Sequence, residues 1–395
     1  MANQKTQVLV LGAGFGGIKA ALELANNPTF EVTLLSDQDS FRYYPTLYRA
    51  ATGGSLVASS IPLSEIFKAK PVRIVKTIAK TVDRPKKRII TAKGQKHNYD
   101  YLVIALGVMT NYFGIKGLKE YSYGIKSQAE ATELRDHIHQ LILDEGQPDI
   151  NYVVIGGGPT GVELAGALPA YIRFVMQKHG VAAKKLHIDL VEAAPRLMPR
   201  MPRSYSTAVA RRLRRLGIKL YLKQAVQAET AEALTVSGHP IASHTVVWTA
   251  GVTNHPFFNA NEFNLSQHGK VLVNQYLQAE PDVYVIGDNA ETAYSGMAQT
   301  ALYDASFVAS NLSRLAAGQS PKPYKAKRPI YVTPVGPEWA AVLWNRVHFY
   351  GWLGWLLRNA ADFAGYRDYE PWWLAGKHWL AEYDSEETCP ICAQN

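Results

Sequence analysis

Two segments of this chain have the residue types and the spacing that bind phosphate groups. Each contains three glycines in a G-x-G-x-x-G pattern: Gly12, Gly14 and Gly17, then Gly156, Gly158 and Gly161. Glycines at this spacing supply a tight turn and let a pyrophosphate approach backbone N–H groups at a helix N-terminus. One such pattern is weak evidence, but two in one chain are much more specific. We therefore predict two dinucleotide sites.

Each glycine pattern lies between a predicted strand and a predicted helix. The first follows the apolar residues 8–11 and precedes a helical stretch at 18–24; the second lies between 152–155 and 162–168. Four consecutive apolar residues are typical of a parallel strand that is buried on both faces. Strand, glycine turn and helix in this order predict the first βα unit of a Rossmann fold, occurring twice.

The residue at the end of the next strand selects the nucleotide. In the second unit, strand 187–191 ends on Glu192, whose carboxylate would accept the ribose hydroxyls and repel a 2′-phosphate. This favours NADH over NADPH, although Arg196 leaves phosphate binding open. In the first unit, strand 31–35 ends on Ser36, followed by Asp37, where an acid is usual. We expect the Asp37 carboxylate or the Ser36 hydroxyl to bind the adenosine less strictly.

Composition limits the class of protein. The chain has 395 residues, of which 47% are hydrophobic and 19% charged, so it has a core large enough for two domains and a small third one. A net charge of +9 allows an anionic partner such as a nucleotide, a nucleic acid or a lipid. The arginine-rich segment 210–216 lacks interleaved aromatic residues, so we predict a surface helix and no nucleic-acid partner.

Cysteine and histidine usage argues against a disulfide framework and against a metal site. The two cysteines, Cys389 and Cys392, lie in the last seven residues and fit a reducing compartment. We interpret this CxxC pair as incidental or as half a zinc site, with thiol exchange as the alternative. The histidines are scattered, so no bound metal is expected.

The C-terminal region is rich in tryptophan. Seven of the eight tryptophans lie between residues 339 and 379. No signal peptide is expected, and no apolar run approaches the roughly 18 residues of a spanning helix. We predict an amphipathic helix over 339–365 that lies on the membrane surface, with a docking or dimer helix as the alternative. Gly351 and Gly354 each cost about 1 kcal/mol in a helix, so close packing is expected there.

Two dinucleotide folds in one chain require two redox partners held against each other. The economical interpretation is a flavin in one fold and a nicotinamide in the other.

At this point the chain resembles the type II NADH dehydrogenases, within the larger class of flavoproteins that have two dinucleotide-binding domains. The resemblance covers most of residues 7–320. It is carried by LYRAATG at 47–53, YDYLVIA at 99–105, TNYFGI at 110–115, GPTGVELA at 158–165, WTAGV at 248–252, VIGD at 285–288 and AQTA at 298–301.

The resemblance implies two sets of cofactor-binding residues. Those for non-covalent FAD are Gly12, Gly14, Phe15, Gly16, Gly17, Ser36, Asp37, Ala79, Ala105, Gly107, Asp288, Ala298 and Gln299. Those for NADH are Gly156, Gly158, Pro159, Thr160, Gly161, Glu163, Glu192, Ala250 and Gly251. The helix that starts near Ala298 would point its positive dipole end at the flavin and stabilise the anionic reduced form.

The resemblance also implies three catalytic residues: Glu163, Gln299 and Tyr303. Hydride would pass directly from nicotinamide C4 to flavin N5, with the protein supplying orientation and electrostatics. Glu163 would approach the nicotinamide–flavin contact, the alternative being an acid that complements the helix dipole. Family members place a glutamine pair before the quinone where this chain has Tyr303 and Asp304, so the details of the acceptor site stay open.

The implied fold is α/β, with two Rossmann-like domains and a small C-terminal helical and aromatic region. Residues 1–118 and 270–325 would form the FAD domain, 119–269 the NADH domain, and 326–395 a region for membrane association or dimerisation. The implied function is oxidation of NADH and reduction of a membrane quinone, menaquinone or ubiquinone, without proton pumping. The expected location is the cytoplasmic face of the cell membrane, as a peripheral homodimer.

Other acceptors stay open at this point: oxygen, ferric iron, or a thiol through Cys389 and Cys392. Sulfide:quinone reductase chemistry is disfavoured, because it needs cysteines at the flavin and none precedes Cys389. A nucleotide-sensing protein that holds FAD and NADH without turnover is the remaining alternative.

Overall fold

The computed structural model describes residues 5–144, 149–243 and 245–383. The first hundred residues combine a Rossmann core with short excursions from it. The elements are β1 (Thr6–Leu11), α1 (Phe15–Leu24), β2 (Phe30–Ser36), β3 (Ser40–Arg42), α2 (Leu47–Ala50), β4 (Ser60–Pro62), α3 (Leu63–Ile66), β5 (Val72–Lys76), β6 (Ala79–Asp83), β7 (Arg88–Thr91), β8 (Lys96–Asn98) and β9 (Tyr101–Ile104).

The middle of the chain contains the second Rossmann core and its connections. The elements are β10 (Val108–Thr110), α4 (Leu118–Tyr121), α5 (Gln128–Leu143), β11 (Asp149–Ile155), α6 (Pro159–Lys178), β12 (Lys185–Glu192), α7 (Arg203–Arg215), β13 (Lys219–Leu222), β14 (Val226–Glu229), β15 (Ala233–Val236), β16 (His239–Ala242), β17 (Thr245–Trp248) and β18 (Val252–Asn254).

The last part returns to the first core and then forms a small appended unit. The elements are α8 (Pro256–Ala260), β19 (Gln278–Glu280), β20 (Val283–Val285), α9 (Ala298–Ala316), β21 (Tyr331–Pro334), β22 (Ala340–Trp344), β23 (Val347–Gly351), α10 (Trp352–Arg367) and α11 (Trp372–Ala381). Within the described residues, none of the helices combines the length and the apolar character needed to span a bilayer.

The first sheet places the first glycine loop at its centre. Its strand order is β19-β20-β9-β1-β2-β5, and β1 runs parallel to both neighbours, with Leu11 opposite Leu35 and Ile104. Because β1 is covered on both faces, each of its residues from Val8 to Leu11 is at most 1% exposed. The loop therefore emerges at the carboxyl edge of the sheet, where parallel α/β folds bind ligands.

The second sheet repeats this arrangement with fewer strands. Its order is β13-β12-β11-β17, all parallel, and Ile155 at the end of β11 lies opposite Val191 and Trp248. The chain passes from the first core to the second after β9 and returns to the first after β17. At this crossing β10 and β18 form an antiparallel pair, with Met109 opposite Thr253.

The predicted helix over 339–365 is wrong in its first half. Residues 340–351 form the hairpin β22–β23, and α10 begins only at Trp352. The hairpin turns at Asn345, whose φ of 55° suits a two-residue turn, and β22 gains a second partner in β21. The helical spacing of apolar residues could not reveal a partner strand that lies outside the segment.

The close packing expected at Gly354 is confirmed. A Cβ atom there would overlap the carbonyl oxygen of Ala340, so only glycine lets α10 lie directly against β22. The next helix, α11, is held by a buried pair in which His378 Nδ1 lies 2.8 Å from Glu370 Oε2. Cys389 and Cys392 lie outside the described residues.

Candidate active site

The first glycine loop has the shape of a phosphate cradle. Gly12 has a φ of +98°, and a Cβ at Gly17 would overlap the Gly12 carbonyl oxygen, so both positions require glycine for α1 to pack this closely. A Cβ at Gly14, by contrast, would meet nothing within 4 Å. Gly14 is the N-cap residue of α1 and no side chain caps this helix, so its first N–H groups are available to a ligand. These residues fit a pyrophosphate.

Phe15 and Gly16 have packing roles in this loop. The Phe15 ring lies 5.0 Å from Phe41 and 5.9 Å from Tyr369, centroid to centroid, so its side chain points into an aromatic cluster and not into the cradle. A Cβ at Gly16 would lie 3.1 Å from Ile286 Cδ1, which shows how tightly α1 approaches the segment after β20. Phe15 thus contributes only its backbone to the loop.

At the end of β2 the side chain of Asp37 is the available acid. Ser36 is buried and its hydroxyl accepts a hydrogen bond from Gln38 N at 3.0 Å, whereas Asp37 is exposed. Thr77 N donates to Ser36 O at 2.7 Å, which brings the segment that leads to Ala79 beside this strand end. Of the two candidates for binding adenosine, Asp37 is therefore the more accessible.

Asp288 lies on a three-residue 3-10 turn directly after β20, and its neighbour Asn289 fixes that turn. The Asn289 side chain is fully buried, accepts from Gly107 N at 2.8 Å and donates to Gly107 O at 2.6 Å. Burial raises the pKa of Asp288, against the lowering effect of Lys270 and Lys126. Asn289 and the two lysines were missed from the sequence, because no local motif marks them.

Helix α9 begins at Ala298, as predicted, and its first turn lies against the Asp288 turn, since a Cβ at Gly287 would be 3.2 Å from Ala301 Cβ. Its N-cap residue, Met297, makes no side-chain cap, so the first N–H groups are available to an anionic group. The side chain of Gln299 accepts from Ile330 N at 2.8 Å and thereby holds the segment before β21.

The two residues expected to face the acceptor point in different directions. Asp304 is fully buried, accepts from Gly287 N at 3.0 Å and from Tyr324 OH at 2.6 Å, and has a pKa raised to about 6 by burial. Tyr303 is partly exposed, with Lys327 Nζ 5.0 Å from its ring centroid. Asp304 therefore supports the Asp288 turn, and only Tyr303 is open to a ligand.

The second glycine loop repeats the geometry of the first. Gly156 has a φ of +114°, a Cβ at Gly161 would overlap the Gly156 carbonyl oxygen, and a Cβ at Gly158 would meet nothing within 4 Å. Pro159 occupies the first turn of α6, where its missing N–H costs nothing, and Thr160 follows it. This loop also fits a pyrophosphate.

Glu192 lies at the end of β12, and its carboxylate accepts a hydrogen bond from the second glycine loop. Its Oε2 accepts from Gly157 N at 2.6 Å and its Oε1 accepts from Ala194 N at 2.7 Å. A carboxylate has about four acceptor positions, so capacity remains for ribose hydroxyls. Arg196 is occupied elsewhere, since its guanidinium donates to Met201 O and to Ser206 Oγ. The geometry supports the predicted preference for NADH.

The space beside Gly251 is filled by protein. Gly251 has a φ of +78°, and a Cβ there would overlap the ring of Phe113 from the first chain crossing. The absence of a side chain at Gly251 thus makes room for the Phe113 ring. Ala250 is the residue directly before this glycine. Thr249, which was missed, donates its hydroxyl hydrogen to Ile155 O at 2.7 Å and ties β17 to β11 beside the glycine turn.

Glu163 lies in the second turn of α6, where its carboxyl group is influenced electrostatically by charged groups on α10 and α2. Burial raises its pKa from 4.5 to about 8; Arg358 opposes this shift, Asp362 adds to it and Arg49 opposes it. Arg358 Nε lies 2.7 Å from Asp362 Oδ2, and both side chains are at most 7% exposed. Arg358 and Asp362 were not predicted as site residues, because no local motif marks them.

The family follows from a comparison with known proteins. The profile of a family described as pyridine nucleotide-disulphide oxidoreductase matches residues 6–305, which include both glycine loops. The chain belongs to this family. The match begins at β1 and ends inside α9, so it covers the two Rossmann cores and leaves the appended C-terminal unit outside.

Relatives within this family are similar over most of their length. Type II NADH:quinone oxidoreductase of Staphylococcus epidermidis is 28% identical over 349 residues, which cover 82% of this chain and 86% of the relative. The enzyme of the same name from Staphylococcus aureus gives the same identity and coverage. These matches confirm the resemblance to type II NADH dehydrogenases.

Solved structures share the fold of this oxidoreductase at low identity. The structure of NDH2 from Plasmodium falciparum in complex with NADH has a TM-score of 0.84 at 15% identity and covers 96% of this chain and 97% of that one. The sulfide:quinone oxidoreductase of Aquifex aeolicus has a TM-score of 0.78 at 21% identity, covering 90% and 89%. The predicted fold class is confirmed, and so are the predicted cofactors, FAD and NADH.

Proposed function

We propose that this oxidoreductase is a type II NADH:quinone oxidoreductase, which oxidises NADH and reduces a quinone with FAD as the resident cofactor. The observation that carries the proposal is the pair of glycine loops, each open at its middle glycine. Only the second loop is hydrogen-bonded to the carboxylate at its strand end, Glu192, whereas the first core has Ser36 at this position. A relative that bears this enzyme name covers most of the chain.

The chain's own residues bind and orient the two nucleotides. Gly12 to Gly17 and the start of α1 would hold the FAD pyrophosphate, and Asp288 would hold the ribityl chain. When bound, FAD supplies the two-electron chemistry that links NADH to a quinone. Glu192 would hold the NADH ribose, and the open N-terminus of α9 would stabilise negative charge on the cofactor. No side chain needs to exchange a proton while NADH is oxidised.

The test of this function follows the two half-reactions separately. Purified protein is expected to be yellow, to bleach when NADH is added without oxygen, and to recover its colour with menaquinone or ubiquinone analogues. Recovery with oxygen, ferric iron or a disulfide but with no quinone would contradict the proposed acceptor. Stable bleached protein that no acceptor restores would instead favour a nucleotide-sensing protein.

We further propose that the C-terminal unit attaches the enzyme to the membrane surface. Large apolar side chains on α10 and α11 are exposed to solvent: Trp352 62%, Leu353 47%, Trp372 65%, Trp373 59% and Leu380 60%. Exposed Lys377 lies on the same helix as the paired tryptophans. Aromatic and aliphatic side chains beside a cation are typical of helices that lie in the lipid interface.

A cleft of about 820 Å³ opens beside these tryptophans and offers a route for a lipid-soluble substrate. It is lined by Ser55, Val57, Phe363, Trp372, Trp373, Gly376, Lys377, Trp379, Leu380 and Ala381. Most of these side chains are apolar, as a ring with an isoprenoid tail requires. The cleft lies between α10, α11 and the segment that follows α2.

Vesicle co-sedimentation tests the attachment. Replacing Trp372 and Trp373 by alanine is expected to release most of the protein from vesicles that contain anionic lipid, while NADH oxidation by water-soluble quinone analogues persists. Phe174→Ala is the matched control, since this aromatic side chain is 48% exposed on α6. Equal binding of all variants would contradict the proposal. A change of sedimentation coefficient without loss of vesicle binding would assign the surface to the homodimer instead.

A further inference from the structure

Two glutamates and one histidine from separate segments meet where the C-terminal unit packs on the first core. Glu65 lies in α3, Glu370 in the connection between α10 and α11, and His378 in α11. One carboxylate oxygen of each glutamate and one ring nitrogen of the histidine all lie within 4.8 Å of one another. Among the residues that the structure describes, no other three histidine, cysteine or acidic side chains bring their ligand atoms this close together.

Two of these three side chains lie deep in the protein. The side chains of Glu370 and His378 are 0% and 2% exposed, and His378 Nδ1 lies 2.8 Å from Glu370 Oε2. The other carboxylate oxygen, Glu370 Oε1, is buried and has no hydrogen-bond partner within the described part of the chain. Because a carboxylate oxygen at this depth is costly without a partner, Glu370 Oε1 indicates a position for a cation.

The charges of the three side chains also favour a divalent cation. A protonated His378 would neutralise only one of the two carboxylates. A divalent cation neutralises both, and the imidazole then binds it as a neutral ligand. Glu65 is partly buried, so water can reach the three side chains from its side.

The surroundings of the three side chains are aromatic and apolar. Tyr366 stacks on the imidazole of His378 with 5.9 Å between ring centroids, and its hydroxyl group donates to Ala58 O at 2.8 Å. Leu63 and Ile66 of α3 and Ala375 of α11 belong to the same buried core cluster. A packed shell of this kind fixes the orientation of ligands and limits the access of solvent.

Short-range structure positions the ligands on their own segments. Glu370 N donates to Tyr366 O at 3.1 Å, and Pro371 directly after it is the N-cap residue of α11. On the other side, Leu63 N donates to Asp39 O at 2.9 Å and holds the start of α3. An ion bound by all three side chains therefore links α3 of the first core to α11.

The ligand set selects the class of metal ion. Imidazole nitrogen together with carboxylate oxygen suits Zn²⁺ and related transition metals, whereas Mg²⁺ and Ca²⁺ prefer oxygen ligands alone. With bonds of about 2.1 Å, the ligand atoms of a tetrahedral zinc ion are about 3.4 Å apart. A small movement of Glu65, the most exposed of the three, brings its carboxylate to this distance. Water can take the fourth position.

We propose that Glu65, Glu370 and His378 bind one divalent transition-metal ion, with Zn²⁺ as the best match, and that this ion fastens α11 to the first core. Helix α11 also carries Trp372 and Trp373, so the ion fixes the orientation of this exposed aromatic surface. Spacing along the chain could not predict the site, because Glu65 and His378 are more than three hundred positions apart. The ion takes no part in the proposed reaction.

Zinc titration of the full chain with bound FAD tests the site. The protein is treated with a chelator, dialysed and titrated with Zn²⁺, and elemental analysis is expected to give one zinc ion per chain. X-ray absorption at the zinc edge is expected to show only nitrogen and oxygen ligands at about 2.0–2.2 Å. Sulfur ligands at about 2.3 Å would assign the metal to Cys389 and Cys392 and overturn the proposal, and so would a chain that retains no zinc.

Variants then identify the ligands in a Cys389→Ser/Cys392→Ser parent, in which thiols cannot contribute. Glu370→Gln and His378→Ala are expected to retain no zinc. Glu65→Gln is expected to bind Zn²⁺ on the order of 100-fold more weakly, at or beyond the effect typical of an outer-shell partner. Because Glu65 is only partly buried, this isosteric variant disturbs the fold least. Zinc affinity equal to that of the parent in all three variants would overturn the proposal.

His187→Ala is the matched control. His187 Nε2 lies 3.9 Å from Asp149 Oδ2, but these side chains are 41% and 49% exposed. This variant is expected to bind Zn²⁺ as the parent does. A loss of affinity equal to that of Glu65→Gln would show that zinc binds to surface histidines and would overturn the assignment. Circular dichroism and FAD content verify that each variant is folded.

Hydrogen exchange tests the fastening of α11. In the parent, a zinc concentration 100 times the dissociation constant is expected to slow amide exchange across Trp372–Ala381 by up to about 100-fold. The same zinc concentration is expected to have a much smaller effect on Glu65→Gln. Unchanged exchange in α11 of the parent, although one zinc ion is bound, would overturn the fastening.

Discussion

The two glycine loops share one backbone design and differ in the side chains around them. Both have a left-handed first glycine, an open middle glycine and a third glycine packed against the first. At the strand end, one core has Ser36 bonded to Gln38 N and the other has Glu192 bonded to Gly157 N. The backbone therefore provides phosphate binding in both, and the strand end provides the choice of nucleotide.

A second difference lies two residues after the third glycine. In α1 this position is Lys19, whose Nζ lies 3.1 Å from Asp368 Oδ1 at the end of α10. In α6 it is Glu163, whose pKa is raised by burial and is also influenced by the charges of Arg358 and Asp362 on α10. Charged groups of α10 thus act on equivalent positions of both cores. The first interaction is a partly exposed ion pair, and the second acts on a carboxyl group whose pKa is raised by burial. The appended unit also packs closely on α6, since a Cβ at Gly166 would overlap Gly336 N.

The largest effect is expected at the third glycines. In Gly17→Ala and Gly161→Ala the new Cβ would overlap a carbonyl oxygen of the first glycine of its own loop. Each helix must then move away from its sheet, at a cost of about 3 kcal/mol or more. Urea unfolding measures this loss. If one variant is as stable as wild type, the two loops are not equivalent.

The next effect concerns the strand ends. Glu192→Ala is expected to raise the KM for NADH roughly 30-fold, which corresponds to about 2 kcal/mol for the lost charge-assisted hydrogen bonds. The preference of the enzyme for NADH over NADPH is expected to become smaller. Ser36→Ala is expected to leave that KM unchanged and to keep bound FAD. Steady-state kinetics with both nucleotides gives the comparison. A larger effect of Ser36→Ala would reverse the assignment of the two cores.

A pH-dependent effect separates Glu163 from Lys19. Because the folded protein holds the pKa of Glu163 near 8, above 4.5, its protonation stabilises the fold at low pH and this contribution is lost as pH rises toward 8. Glu163→Gln is therefore expected to flatten the decline of stability between about pH 5 and 8. Unfolding free energy measured across this range provides the check, and a curve parallel to wild type would contradict the raised pKa.

The smallest effect is expected for Lys19→Gln. Its ion pairs with Asp368 and Glu23 are partly exposed, and such pairs contribute about 0–1 kcal/mol. Stability is expected to change by no more than this at any pH between 5 and 8. A loss comparable to that of the third-glycine variants would show that α10 depends on the first core as well.

Local patterns predicted the parts of the fold that are encoded locally. Strands β1 and β11, the glycine turns and the start of α9 at Ala298 all follow from short runs of residues. The hairpin β22–β23 was not predictable in this way, because its alternative was a helix with similar apolar spacing and its partner β21 lies outside the segment. The choice between helix and hairpin depends on the pairing of β21, β22 and β23.

The same limit applies to the site. The roles of Gly14, Gly158 and Glu192 could be predicted from the sequence. A phosphate-binding turn requires glycine, and a strand end that binds ribose requires an acid. The roles of Asn289 and Arg358 could not, because each acts on residues more than a hundred positions away: Asn289 on Gly107, and Arg358 on Pro45. Such contacts are set by how the appended unit and the two cores pack, and no spacing rule describes that.

The division of cofactors between the loops is tested most directly by one pair of variants, Gly14→Val and Gly158→Val. Neither new side chain meets protein at its Cβ, and both glycines have extended backbone that valine adopts, so the fold is expected to persist. The measurement is FAD content after purification, followed by anaerobic reduction with NADH. We expect Gly14→Val to lack FAD and Gly158→Val to keep it but to be reduced by NADH only poorly. FAD lost from Gly158→Val and retained in Gly14→Val would contradict the assignment.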